Sequence, residues 1–161
     1  MLQGGFMEYF LFSLGFTLIH LGVYTIAGMA ALNISRDLYE GEQRLLDFLS
    51  DMSTKGEKDE SGRVKRLFLP AQLLRGLLMS LVLYPVLPLL GDISFAGRFA
   101  FFFGLMFIYT DFAGAVPFPH NIEGFVYMRS QYLKKDKTWK LYFEIVLYSM
   151  LFALFAAWLL F

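Results

Sequence analysis

Tyr109-Thr-Asp-Phe-Ala-Gly-Ala-Val-Pro-Phe-Pro-His-Asn-Ile-Glu-Gly-Phe-Val-Tyr-Met-Arg129 is where the character of the chain changes. The stretch begins inside an aromatic apolar run, carries a carboxylate at Asp111, and leaves the run through Pro117 and Pro119. Neither proline donates a backbone hydrogen bond, so a helix arriving from the N-terminal side must end here. His120, Asn121 and Glu123 follow before the chain turns apolar again. An apolar helix that stops at a Pro-Phe-Pro corner and gives way to a basic segment reads as a membrane exit. The other exits then define the fold.

Of the 161 residues, 57% are hydrophobic and 19% aromatic. Soluble domains are usually about 45–50% apolar. The excess is gathered in four blocks, each long enough for the roughly 20 helical residues that a bilayer crossing needs. They run from Phe6 to Ile34, Leu67 to Leu90, Phe95 to Val116 and Leu141 to Phe161. The expected fold class is an all-α integral membrane protein, one four-helix transmembrane domain over residues 1–161. A secretory signal competes for the first block, with Ala27-Gly-Met-Ala-Ala31 as its small-residue site. No Lys or Arg precedes Phe6, however, so the basic segment of such a signal is missing.

Lys and Arg set the orientation. Residues 35–66 carry Arg36, Arg44, Lys55, Lys58, Arg63, Lys65 and Arg66, and residues 117–140 carry Arg129, Lys134, Lys135, Lys137 and Lys140. Only Arg98 lies on the opposite side. The positive-inside rule places both basic segments in the cytoplasm and both termini outside, in a plasma or inner membrane. Arg63, Lys65, Arg66, Arg129, Lys134 and Lys135 are the candidates for anionic headgroup contacts.

Within the first cytoplasmic segment, Asp37-Leu-Tyr-Glu40 resembles a helix-start box. Leu45, Leu46, Leu49 and Met52 recur at helical spacing, which predicts an amphipathic helix. Asp47 and Asp51 share a face that could hold a divalent ion, although on an amphipathic surface helix such a face is more often just the solvated side. Ser53 to Arg63 has no apolar residue and reads as a linker. Tyr84-Pro-Val-Leu-Pro88 should bend the second span, and Gly91 to Gly97 should join spans two and three as a tight antiparallel hairpin. Ala100, Gly104, Gly15 and Gly22 offer small-residue stripes for helix packing. After Pro119, residues 121–133 suit an interfacial helix, and Trp139 and Trp158 bracket the last span.

The intramembrane polar residues that stand out are His20, Arg75 and Asp111. In a packed hairpin Asp111 lies within one turn of Arg75, roughly 9–12 Å inside the cytoplasmic boundary at 1.5 Å per residue, so the expectation is an ion pair, or Arg75 reaching the headgroups by itself. His20 is expected to pack and hydrogen bond between helices. His120 and Glu123, three residues apart, with Asp111 behind them, are the catalytic or metal-binding candidates. The structural alternative has Asn121 or His120 capping a helix with Glu123 in its first turn. Glu144 is expected to reach headgroups or Lys140.

The absence of Cys excludes disulfides, Cys-ligated zinc and thiolate catalysis. A net charge of zero gives no case for nucleic acid. No phosphate loop, zinc-protease motif, dinucleotide fingerprint or nucleophile elbow is present. No cofactor and no metal are expected. The leading expectation is a non-enzymatic subunit or assembly factor of a larger membrane complex, whose partners are other membrane chains, in a hetero-complex or homo-oligomer, and anionic lipid. The alternatives are an oligomeric channel or transporter using Asp111 and Arg75, and a membrane enzyme acting on a lipid-linked substrate.

Overall fold

The computed structural model of the chain describes residues 5–50 and 58–161, with 58–61 described by backbone alone. Helix is the only regular structure among the described residues. α1 runs Phe6–Tyr39 and α2 Lys58–Val82, followed by a 3-10 turn at Tyr84–Val86 and the short α3, Leu87–Asp92. α4, Phe95–Phe103, continues as a π-helix through Gly104–Phe112. α5 is Ile122–Tyr127, a 3-10 turn covers Ser130–Tyr132, and α6 is Lys135–Leu159. Three helical stretches are long and apolar enough to cross a membrane, and the bent pair α2–α3 makes a fourth if it is one crossing.

α1 is the centre of the bundle. Its buried residues, Phe12, Phe16, His20, Val23, Ala27 and Ala31, recur every three or four positions and form one stripe against α2 and α6. Phe10, Leu14, Leu18 and Met29 on the other side of the same helix are each about half exposed. A soluble helix would be polar there; a helix apolar all round belongs in lipid or a large core. α6 buries Tyr148, Phe152, Ala153, Ala156 and Ala157 with the same period, and α4 packs on α6.

Small residues decide how closely helices approach, but at other positions than the sequence suggested. A Cβ on Gly76 would lie 3.0 Å from Thr17 Cα, so this glycine is the α1–α2 contact point. Gly22 and Gly104 face open space, and Gly15 meets only the far end of Leu160.

The prolines act as expected. Pro85 and Pro88 remove backbone donors, and α2 and Tyr84–Asp92 diverge by 43°. The connection to α4 shrinks to Ile93 and Ser94, with Ser94 Oγ capping Gly97 N at 3.2 Å. The expected short turn is therefore present, but α2 packs chiefly on α1 and the π-helix on α6, so the second and third segments share few contacts.

The π-helix has a visible register. Phe99, Phe103 and Phe107 stack at spacings of four, with centroids 6.2 and 5.5 Å apart, and the next ring, Phe112, stacks on Phe107 after a step of five. Ala113 N donates to Ile108 O across the same five-residue step, at 2.8 Å. This wide turn re-aims Asp111, and such turns gather at functional positions.

Three expectations around residues 35–66 are corrected. Asp37-Leu-Tyr-Glu40 ends α1 rather than starting a helix, with Glu40 as its C-cap. Residues 41–50 form successive turns, not an amphipathic helix. Leu45 and Leu46 bury against Leu38 and Leu141, and Tyr132 donates to Asp47 Oδ1 at 2.8 Å, so tertiary contacts replace helical periodicity. The positions of Asp51 and Met52, and the first part of the supposed linker, lie outside the described residues. Its remainder, from Lys58, is already α2. The interfacial helix is also shorter than expected: α5 has six residues, and Met128 returns to extended backbone.

Candidate functional site

The corner after the π-helix is built by Asn121. Its Oδ1 accepts from Phe118 N at 3.0 Å and from Gly124 N at 2.8 Å, and its Nδ2 donates to Val116 O at 2.7 Å. One buried amide thus closes the Pro-Phe-Pro loop and caps α5. Gly124 is required beneath it, because a Cβ there would run into the Phe118 carbonyl. Asn121 fills the capping role; His120 does not.

Capping by Asn121 frees His120 to turn inward. Its Nε2 lies 2.9 and 3.0 Å from the two oxygens of Asp111, and the residue is 5% exposed. With Nε2–H donated to the carboxylate, a neutral imidazole keeps Nδ1 as an acceptor. That nitrogen is buried and has no partner among the described residues. Glu123 is not drawn in; it remains in the first turn of α5, where a negative charge is favoured.

Asp111 and His120 border a cavity of about 620 Å³, within the usual range for a small-molecule site. Its walls come from α1, α2, the π-helix, the corner and α6. The apolar part includes Tyr24, Met29, Val64 and Phe68, and the polar part includes Arg75, Glu144 and Tyr148. Glu144 points into the bundle rather than toward Lys140: Tyr39 Oη donates to its Oε2 at 2.5 Å, and its other oxygen is buried, with Ser35 beside the carboxylate. Lys140 instead binds Asp37, at 2.5 Å.

Arg75 makes no ion pair or hydrogen bond among the described residues, so Asp111 is held by His120 and not by Arg75. The reason is the splayed packing of α2 and the π-helix: Arg75 and Asp111 border one cavity from different walls. His20 meets its expectation of interhelical bonding. It is fully buried, with Nδ1 2.7 Å from Tyr148 Oη and Nε2 3.1 Å from Gln72 Oε1. Because the Gln72 oxygen only accepts, Nε2 carries the proton and Nδ1 accepts from Tyr148 in the neutral ring. A second chain of hydroxyls, Ser80 to Ser13 at 2.8 Å and Ser13 to Tyr84 at 2.7 Å, ties α2 to α1 nearer the bend.

The sequence missed Tyr39, Gln72 and Tyr148 and discounted Glu144. Glu144 was the one with a signal, since a carboxylate inside an apolar run is a functional candidate by default. No cluster of three or more metal-ligating side chains occurs among the described residues. The six basic headgroup candidates, Arg63, Lys65, Arg66, Arg129, Lys134 and Lys135, are all exposed. No protein-family model, curated protein or solved structure matches this chain.

Proposed function

We propose that the protein is a four-span integral membrane protein, with both termini outside and its basic segments in the cytoplasm, that binds an amphiphile with its head in the cavity. The cavity carries this reading. Its lining is predominantly aromatic and aliphatic, with Arg75, Asp111, His120 and Glu144 on its walls, the mixture that an acyl chain bearing a polar head requires. A plasma or inner membrane follows from the same topology.

Gly28 provides the test. It borders the cavity, and a Cβ added there meets nothing within 4 Å, so Gly28→Leu fills the space without a backbone clash. Native mass spectrometry of protein extracted in mild detergent should detect a retained amphiphile that Gly28→Leu loses while its melting temperature is preserved. Equal retention in the two proteins defeats the proposal. For the topology, Asp92→Cys should react with an impermeant maleimide on intact cells and Ser130→Cys only after lysis; the reverse pattern inverts the orientation.

A second reading, a subunit of a larger membrane complex, draws support from the third apolar helix. Ile108 and Tyr109 on the π-helix are 53% and 76% exposed, and little of Phe95–Phe112 is covered by the rest of the chain. Stable co-purifying chains, lost on Tyr109→Ala, would support it; purification of the chain alone would oppose it.

A further inference from the structure

Arg75 is the charge in the bundle that its surroundings leave unanswered. It lies nine residues beyond Arg66 on α2, about 14 Å along the helix at 1.5 Å per residue. A cation at that depth is costly unless it meets an anion or water. Arg75 borders the main cavity and also a smaller hollow beside Ala71, Leu78 and Thr110, and its side chain is exposed rather than packed. The two carboxylates on the cavity wall are engaged elsewhere, Asp111 by His120 and Glu144 by Tyr39.

The other polar groups on the wall point to the same ligand chemistry. Thr25 and Thr110 donate to carbonyls in their own helices, and Tyr148 is bound to His20. Among the described residues, this leaves the guanidinium of Arg75 and the hydroxyl of Tyr24 as the bordering donors without a partner. The remaining acceptors, His120 Nδ1 and Glu144 Oε1, are buried. A site with open donors and closed acceptors recognises an acceptor.

We infer that the amphiphile carries an anionic head, a phosphate or carboxylate, bound by the guanidinium of Arg75 with the Tyr24 hydroxyl beside it. The inference rests on the amphiphile reading above and adds the charge of the ligand. A planar guanidinium offers two parallel N–H donors to such a group, which a lysine ammonium does not. Apolar contacts along Phe68 and Met29 hold the chain of the ligand. The anion can come from a membrane lipid or from a soluble phosphate or carboxylate, and the two sources are separable.

The experiment measures binding to delipidated protein in mild detergent, by native mass spectrometry and thermal shift. The probes are phosphatidylglycerol, the acyl-matched diacylglycerol and inorganic phosphate. Wild type should prefer phosphatidylglycerol over diacylglycerol by about tenfold or more, the scale of a charge-assisted pair. Arg75→Gln should abolish that preference and leave diacylglycerol binding intact; Tyr24→Phe should reduce it. Competition by millimolar inorganic phosphate assigns the site to a soluble anion, and its failure assigns it to a lipid head. Equal binding of the two lipids by wild type, or an undiminished preference in Arg75→Gln, overturns the inference. The amphiphile reading fails separately, if Gly28→Leu binds every probe as wild type does.

Discussion

Replacing Asn121 by alanine removes the residue that shapes the corner carrying His120. Asn121 is 2% exposed, and its amide makes the three short hydrogen bonds to Phe118 N, Gly124 N and Val116 O described above. Alanine strands the Gly124 N–H, which is buried, and the Phe118 N–H, which is half-buried; Val116 is exposed, so its carbonyl finds a substitute. A stranded buried group costs about 1–3 kcal/mol and loss of an N-cap about 0.5–2 kcal/mol, overlapping contributions that together give about 3 kcal/mol. Asn121→Asp keeps the Oδ1 acceptor but turns a carboxylate oxygen toward the Val116 and Gly114 carbonyls in a buried position, so it should cost more than the roughly 1 kcal/mol of one lost hydrogen bond. Equilibrium unfolding in mixed detergent micelles, followed by the fluorescence of Trp139 and Trp158, gives both values. An alanine variant within about 0.5 kcal/mol of wild type would refute the account of the corner.

The other predictions concern the helix contacts. Gly76→Ala places a methyl 3.0 Å from Thr17 Cα and should destabilise by about 1–3 kcal/mol, with Gly76→Ile worse; a neutral alanine would mean that α1 and α2 separate freely. His20→Ala leaves Tyr148 and Gln72 without their shared partner in a fully buried position and should cost about 3 kcal/mol in the same unfolding assay. Lys140→Ala breaks a pair in which Asp37 is 42% exposed, so its effect should stay below about 1 kcal/mol and shrink with added salt. A large, salt-independent loss would place that pair in a drier setting than the structure describes.

Much of the helical plan could be read from residue order because it depends on local chemistry. Apolar blocks longer than about 20 residues, the pairing of Pro85 with Pro88, and Asn121 three residues before Gly124 each act over a single helical turn or a single segment. The corner of Pro117 to His120 was likewise visible, as was a buried role for His20. The failures had a common cause. Periodicity in residues 41–50 suggested a helix, but the burial of Leu45 and Leu46 against Leu141 is a long-range contact that turns satisfy as well. Leu141 lies far along the chain, and nothing near Leu45 announces it.

The polar site was the part that depended on packing. The sequence by itself marked Arg75 and Asp111 as charges set among apolar residues, since they interrupt runs that have no other reason to tolerate them, while it sent Glu144 to the headgroups. Only the tertiary structure decided their partners. Level in the chain did not mean adjacent in space, because the bend at Pro85 and Pro88 accompanies a splay of α2 from the third apolar helix, and each packs on a different neighbour. Asp111 therefore meets a histidine nine residues away, brought back by a proline corner and aimed by a π-helical step. Glu144 meets Tyr39 across the bundle, and Arg75 is left facing a cavity. Side-chain identity fixes what must be neutralised; helix packing fixes what is near enough to do it.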